Sequence, residues 1–269
     1  MAKRIQWEDL AATLTDAISA RTGPILAGKS VAAGKNSPLA AVLQTRDRTV
    51  FVKGLPSDHR MVITQAREAA TAPLVTGISP QLLWQFDEAG WNVLGYEYVN
   101  GRSADYRPRS SDIDLIVDLM RTLSAIQIPA GPGPWKPIQT RLRTYIDDPA
   151  DAAAFAGQAL THTDWMPDNI IISRGRAWLI DWAWATPARS WTDPASWVIK
   201  LIAHGHTITA AEAIASRLST YVAADPAHIA AFARANVNMW NEIERDNPIP
   251  WTRTMASAAR AWAQHREGL

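Results

Sequence analysis

The chain has no cysteine among its 269 residues. That excludes disulfides, thiolate nucleophiles and cysteine zinc sites, so a metal would have to be held by oxygen or imidazole. An excess of either charge is also missing: the net charge is +1, and no polybasic stripe suggests a nucleic-acid surface. Long uncharged apolar runs are absent, and the stretch from Met1 to Leu10 lacks the apolar core of a signal peptide, so the expectation is a cytoplasmic protein with no membrane partner. The phosphate-binding signatures G-x-G-x-x-G and G-x-x-x-x-G-K-[ST] do not occur. What is present is 47% hydrophobic residues, enough at this length for a large core or two lobes, and 13 tryptophans.

The most informative stretch runs from Leu160 to Ile172 (L-T-H-T-D-W-M-P-D-N-I-I-I), followed by Ala177 to Trp182 (A-W-L-I-D-W). It reads as loop, strand, a tight turn at Arg174-Gly175-Arg176, and a second strand ending in Asp181. His162, Asp164 and Asn169 form an H-x-D-x-x-x-x-N pattern. Phosphoryl transfer needs few groups, but each must be in place: a carboxylate to take the acceptor hydroxyl proton, and hard oxygen donors for Mg²⁺. Asp164 suits the first role, and Asn169 and Asp181 the second. Taken singly, Pro167-Asp168-Asn169 is equally an ordinary polar turn, and the two aspartates could merely end their elements.

Together these residues resemble the aminoglycoside phosphotransferase family, small-molecule relatives of the protein kinases. Asp181 is followed by Trp182-Ala183 rather than Phe-Gly, which favours the small-molecule branch. The resemblance implies an α+β, bilobal, protein-kinase-like fold. Residues 1–99 would form a nucleotide-binding lobe, an antiparallel five-stranded sheet with a helix, and residues 100–269 a mostly helical lobe holding the catalytic loop, the metal site and the acceptor pocket. It implies Asp164 as catalytic base, Asn169 and Asp181 as ligands of Mg²⁺, and ATP as donor with GTP left open.

Taken in order, Leu10, Leu14 and Ile18 predict an opening helix from Trp7 to about Arg21. Short strands follow at Ile25-Leu26 to Val31, Leu39 to Leu43 and Thr49 to Lys53, then at Leu82 to Phe86 and Trp91 to Val99. The resemblance implies that Lys53 meets nucleotide phosphates and pairs with Glu68, on a helix expected to open at a Ser57 N-cap. It places Asn36 and Ser37 in a phosphate-covering loop and the backbone of Glu97 to Val99 at the adenine edge. Beyond Gly101 the apolar period changes to about 3.6, predicting helices at about 113–126, 193–204, 209–224, 226–244 and 253–266.

The acceptor is expected to be a small hydroxylated molecule: an aminoglycoside or other antibiotic, a sugar, a choline-like compound or a nucleoside-like product. From Gly101 to Leu160 there are seven acidic and seven basic residues, so nothing there favours a polycation. Trp165, beside Asp164, is the tryptophan best placed by sequence to face the acceptor. A monomer or weak dimer is expected. Two other readings compete: a catalytically silent nucleotide-binding module, and a metal hydrolase around His162 and Asp164, which lacks further histidines at ligand spacing.

Overall fold

The computed structural model describes residues 4–31 and 37–268. Asn36 and the start of its loop therefore lie outside the described residues. The chain divides into two compact units, one of Met1–Gly101 with Leu179–Ala183, the other of Arg102–Trp178 with Trp184–Leu269.

The first unit opens with helix α1 (Ala12–Thr22), followed by strands β1 (Ile25–Ser30), β2 (Leu39–Thr45) and β3 (Thr49–Pro56), helix α2 (Ile63–Thr71), and strands β4 (Leu82–Glu88) and β5 (Trp91–Glu97). The strands form an antiparallel five-stranded sheet in the order β1-β2-β3-β5-β4. Period-two alternation sorts its two faces. Val50 and Val52 of β3 join Leu39, Ala41, Leu43 and Val93 in a core against Leu14 and Ile18 of α1. Lys53, one residue past Val52, points to the opposite face, where α2 brings Glu68. Gln65 ties α2 to the sheet by donating to the carbonyls of Lys53 and Asn92.

Two expectations are corrected here. The opening helix starts at Ala12, Trp7–Asp9 being a separate single turn. Ser57 does not cap α2, which begins at Ile63; its hydroxyl donates to Asp87 and its N–H to the Gly90 carbonyl, holding a turn ahead of the helix.

The second unit carries the short strand β6 (Arg102–Ser103), helix α3 (Asp112–Leu123), single-turn helices α4 (Ile138–Arg141) and α5 (Ala152–Phe155), strands β7 (Ala159–Thr161), β8 (Ile170–Ser173), β9 (Arg176–Leu179) and β10 (Thr186–Ala188), and helices α6 (Thr192–Ala203), α7 (Ile208–Ala215), α8 (Ser219–Val222), α9 (Pro226–Asp246) and α10 (Pro250–Glu267). The β8–β9 hairpin joins β6, and β7 pairs with β10. One helix expected over 209–224 is two, because the chain turns at Ser216–Leu218 to bury Leu218 and Tyr221. The core gathers on α6, whose Trp197, Val198, Ile199 and Leu201 are fully buried. Among the described residues no helix is long and apolar enough to cross a membrane.

Candidate active site

In the first unit, three charged side chains meet. Lys53 Nζ lies 2.7 Å from Glu68 and 3.1 Å from Asp181, and the Tyr96 hydroxyl also donates to Glu68. The segment carrying Asp181 is anchored around it. Leu179 N–H donates to the Ile78 carbonyl, the Trp182 indole to Ser79 and the Arg67 guanidinium to the Ala183 carbonyl. Asp181 itself has φ +65°, a left-handed conformation uncommon in a residue other than glycine. Burial lowers the proton affinity of Lys53, but the carboxylates of Asp181 and Glu68 outweigh it and keep the ammonium charged. Burial pushes the Glu68 carboxyl up to about 7 against the opposing pull of Lys53. One ammonium between two carboxylates leaves the cluster short of positive charge, and Asp181, with a third of its side chain exposed, is the open end.

In the second unit the His162–Asn169 motif is held from below by a single carboxylate. Asp193, fully buried on α6, accepts from the backbone N–H groups of His162 (2.8 Å) and Thr163 (2.9 Å). Two successive amides can aim at one carboxylate because Thr163 takes φ +66°, an outlier for a β-branched residue. Its hydroxyl donates to the Trp184 carbonyl and accepts from Arg141, which also donates to the Trp184 carbonyl and to Thr186. The loop then presents Asp164. Asn169 Nδ2 donates to both the carbonyl and Oδ2 of Asp164 at 2.9 Å, and neither bond uses Asn169 Oδ1. The buried His162 accepts from the Asp164 N–H, so it braces the turn.

The sequence marks Asp193 only as the opening of a helix; its signal there is an acid set among Trp191, Pro194 and Trp197. Replacing it by alanine leaves one buried and one part-buried N–H group without their acceptor, the buried one costing roughly 1–3 kcal/mol. Asp193→Ala is therefore expected to lower the urea midpoint strongly, which equilibrium unfolding would measure; an unchanged midpoint would mean that the loop does not depend on this carboxylate.

A cavity of about 210 Å³ opens beside Asp164. Its apolar wall comes from α9 (Phe232, Met239, Trp240, Ile243) and from Ile138 and Leu142, and its polar side from Asp164, Arg141, Ser196 and Lys200. Trp165 is not part of it, correcting the expectation drawn from its position. The indole is fully buried, edge-on to His162, and borders a separate small void with Met120, Leu123 and Leu160. The turn explains the difference: after the left-handed Thr163 the residue following Asp164 points inward, and the tryptophans at the cavity are Trp184 and Trp240.

The remaining candidates are placed as follows. Ser37 is half-buried just before β2. Glu97 ends β5 and its N–H already donates to the Gln81 carbonyl, so the backbone beyond the ladder begins at Tyr98 and Val99. Among the described residues no group of three histidine, aspartate or glutamate side chains forms a metal cage. Mg²⁺ does not require one, since it keeps waters and binds through one or two carboxylates plus phosphates.

No protein-family model matches the chain, and no curated protein matches it by sequence. Solved structures do. Choline kinase LicA from Streptococcus pneumoniae superposes with a TM-score of 0.65 at 17% identity, over 94% of this chain and 98% of that one. A thermostable mutant of aminoglycoside phosphotransferase APH(4)-Ia, in ternary complex with AMP-PNP and hygromycin B, gives 0.66 at 12% identity, over 96% and 100%. A choline/ethanolamine kinase family protein from Mesorhizobium loti gives 0.56 at 17%, over 95% of each. The chain has the fold of the kinase-like phosphotransferases. That fold spans nearly its whole length, so both clusters described above lie on a shared scaffold, and at these identities it is the fold alone that is shared.

Proposed function

We infer that the protein is an ATP-dependent O-phosphotransferase that moves the γ-phosphoryl group of a nucleotide to a hydroxyl of a small molecule. The observation that carries this reading is the pair of clusters: Lys53 between Glu68 and Asp181, and Asp164 presented by a loop that Asp193 and Asn169 hold. Neighbours of the same fold are solved with AMP, or with AMP-PNP and hygromycin B, which supports a nucleotide donor and a small acceptor here.

Each residue has one task in this reading. Lys53 places a point charge on the nucleotide phosphates, and Glu68 keeps its amine aimed along the strand face. Asp181 and the amide oxygen of Asn169 are hard donors of the type Mg²⁺ takes. When bound, Mg²⁺ would neutralise phosphate charge as the bond to the leaving oxygen breaks. Asp164 accepts the proton of the acceptor hydroxyl as that oxygen bonds to phosphorus, and the nucleoside diphosphate leaves. The backbone at Val99 would receive the adenine edge, with Ser37 near the phosphates. The cavity beside Asp164 is the acceptor site.

ADP formation measured with MgATP across a panel of hydroxylated antibiotics, sugars, amino alcohols and nucleosides tests this. Acceptor-dependent ADP that disappears with a chelator is expected. Nucleotide binding without turnover by any acceptor would instead favour a silent module.

A further inference from the structure

Lys200 stands out in the second unit. It interrupts the apolar run Trp197-Val-Ile-Lys-Leu-Ile202 on α6, yet it is buried and borders the cavity. Its ammonium donates to Ser196 Oγ at 2.6 Å, a residue that also lines the cavity. Among the described residues no carboxylate lies within ion-pair distance of it. An ammonium has three donors, so this hydrogen bond leaves two N–H groups to be met. A buried charge without a partner is costly, and proteins keep such groups mainly where a ligand or reaction uses them. Burial pulls the ammonium down to about 8, with Asp164 and Asp193 opposing, so it is still mostly charged at neutral pH.

The cavity's charge balance follows. Asp164 is its only acid, whereas Arg141 and Lys200 are its two bases. Arg141 is committed to Thr163, the Trp184 carbonyl and Thr186, and its guanidinium lies over the Trp184 ring. Lys200 is therefore the base with donors to spare. We propose that Lys200 selects the acceptor: a compact hydroxylated molecule with an apolar body and one anionic group of carboxylate size, which Lys200 binds while the hydroxyl faces Asp164. This rests on reading the cavity as the acceptor site. A polycation would bring its charges against Lys200 and find only Asp164 in return. The volume, below the roughly 300–1,000 Å³ of drug-sized sites, also suits a compact acceptor.

Two probe series test it by calorimetry without turnover: 3-(4-hydroxyphenyl)propionate, its amide and tyramine, and glucuronate, glucose and glucosamine. A hydrogen bond between charged groups contributes roughly 1.5–3 kcal/mol, so in at least one series the carboxylate is expected to bind at least about tenfold more tightly than its neutral analogue. Lys200→Met should abolish that ratio by weakening the carboxylate alone, and Lys200→Arg should largely keep it. The Lys200→Met protein should melt no lower than wild type, because replacing a buried charge by an apolar chain of similar size is often neutral or stabilising. A ratio unchanged in Lys200→Met, the cationic analogues binding tightest, or no saturable carboxylate binding would overturn the proposal. So would a large fall in melting temperature with the ratio intact, which marks a structural charge. Because binding is read apart from ADP formation, Lys200-dependent anion preference in a protein that turns over no acceptor of the panel would keep the anion site and remove the phosphotransferase reading, and turnover without preference would do the reverse.

Discussion

Asp164→Asn is expected to lower kcat by roughly 10²–10⁴-fold, the contribution of a positioned general base. Asparagine keeps an oxygen at the position where Asn169 Nδ2 donates, and the backbone bonds from His162 and Thr163 to Asp193 do not involve the side chain. The loop should therefore hold its shape, and nucleotide affinity should change little. Steady-state kinetics beside a nucleotide titration separate the two quantities. Turnover within a few-fold of wild type would remove Asp164 from the chemistry.

Lys53→Met is the second large effect. Losing one preorganised donor to a developing charge costs roughly 10²–10³-fold, and the loss should appear in kcat/KM for ATP. The fold should survive, for a reason the burial supplies. Without the ammonium, Glu68 faces Asp181 in a buried setting that already pushes its carboxyl up to about 7, so it takes a proton rather than remain an uncompensated anion. The sign of the pH dependence follows. A carboxyl whose proton affinity is higher folded than unfolded stabilises the fold below its unfolded value of about 4.5, and that contribution is lost as pH rises through the folded value. Wild type loses the same contribution up to about pH 7, so the destabilisation of Lys53→Met relative to it should grow as pH rises above about 7, and Lys53→Met/Glu68→Gln should remove the growth. Thermal melts across that range measure it. A penalty independent of pH would show that Glu68 does not carry the change.

How much of this was legible without coordinates depends on distance along the chain. The five strands announce themselves by alternation: Val50 and Val52 on one face, Lys53 on the other, is already written in T-V-F-V-K. The hairpin around Gly175 is equally local, since Ile170 to Ile172 and Ala177 to Leu179 flank a residue with φ +73°. Asp193 is another matter. It acts on amides some thirty residues earlier, and nothing between Leu160 and Asn169 shows that the loop needs a buried carboxylate beneath it. The cavity beside Asp164 is hidden for the same reason, because α4, the loop carrying Asp164, α6 and α9 each contribute only a few residues. Trp165 misled because adjacency to Asp164 says nothing of direction in a turn whose preceding residue is left-handed. Lys200 could have been noticed, as a lone charge in an apolar helical run, but only the cavity gives it a purpose.

The most direct measurement follows labelled γ-phosphate from ATP, with Mg²⁺ and a mixture of hydroxylated small molecules, for wild type and Asp164→Asn side by side. Label should leave ATP as an organic phosphate ester with wild type and stay in ATP with Asp164→Asn. Label recovered only as inorganic phosphate, or the same ester formed equally by both proteins, would contradict this expectation.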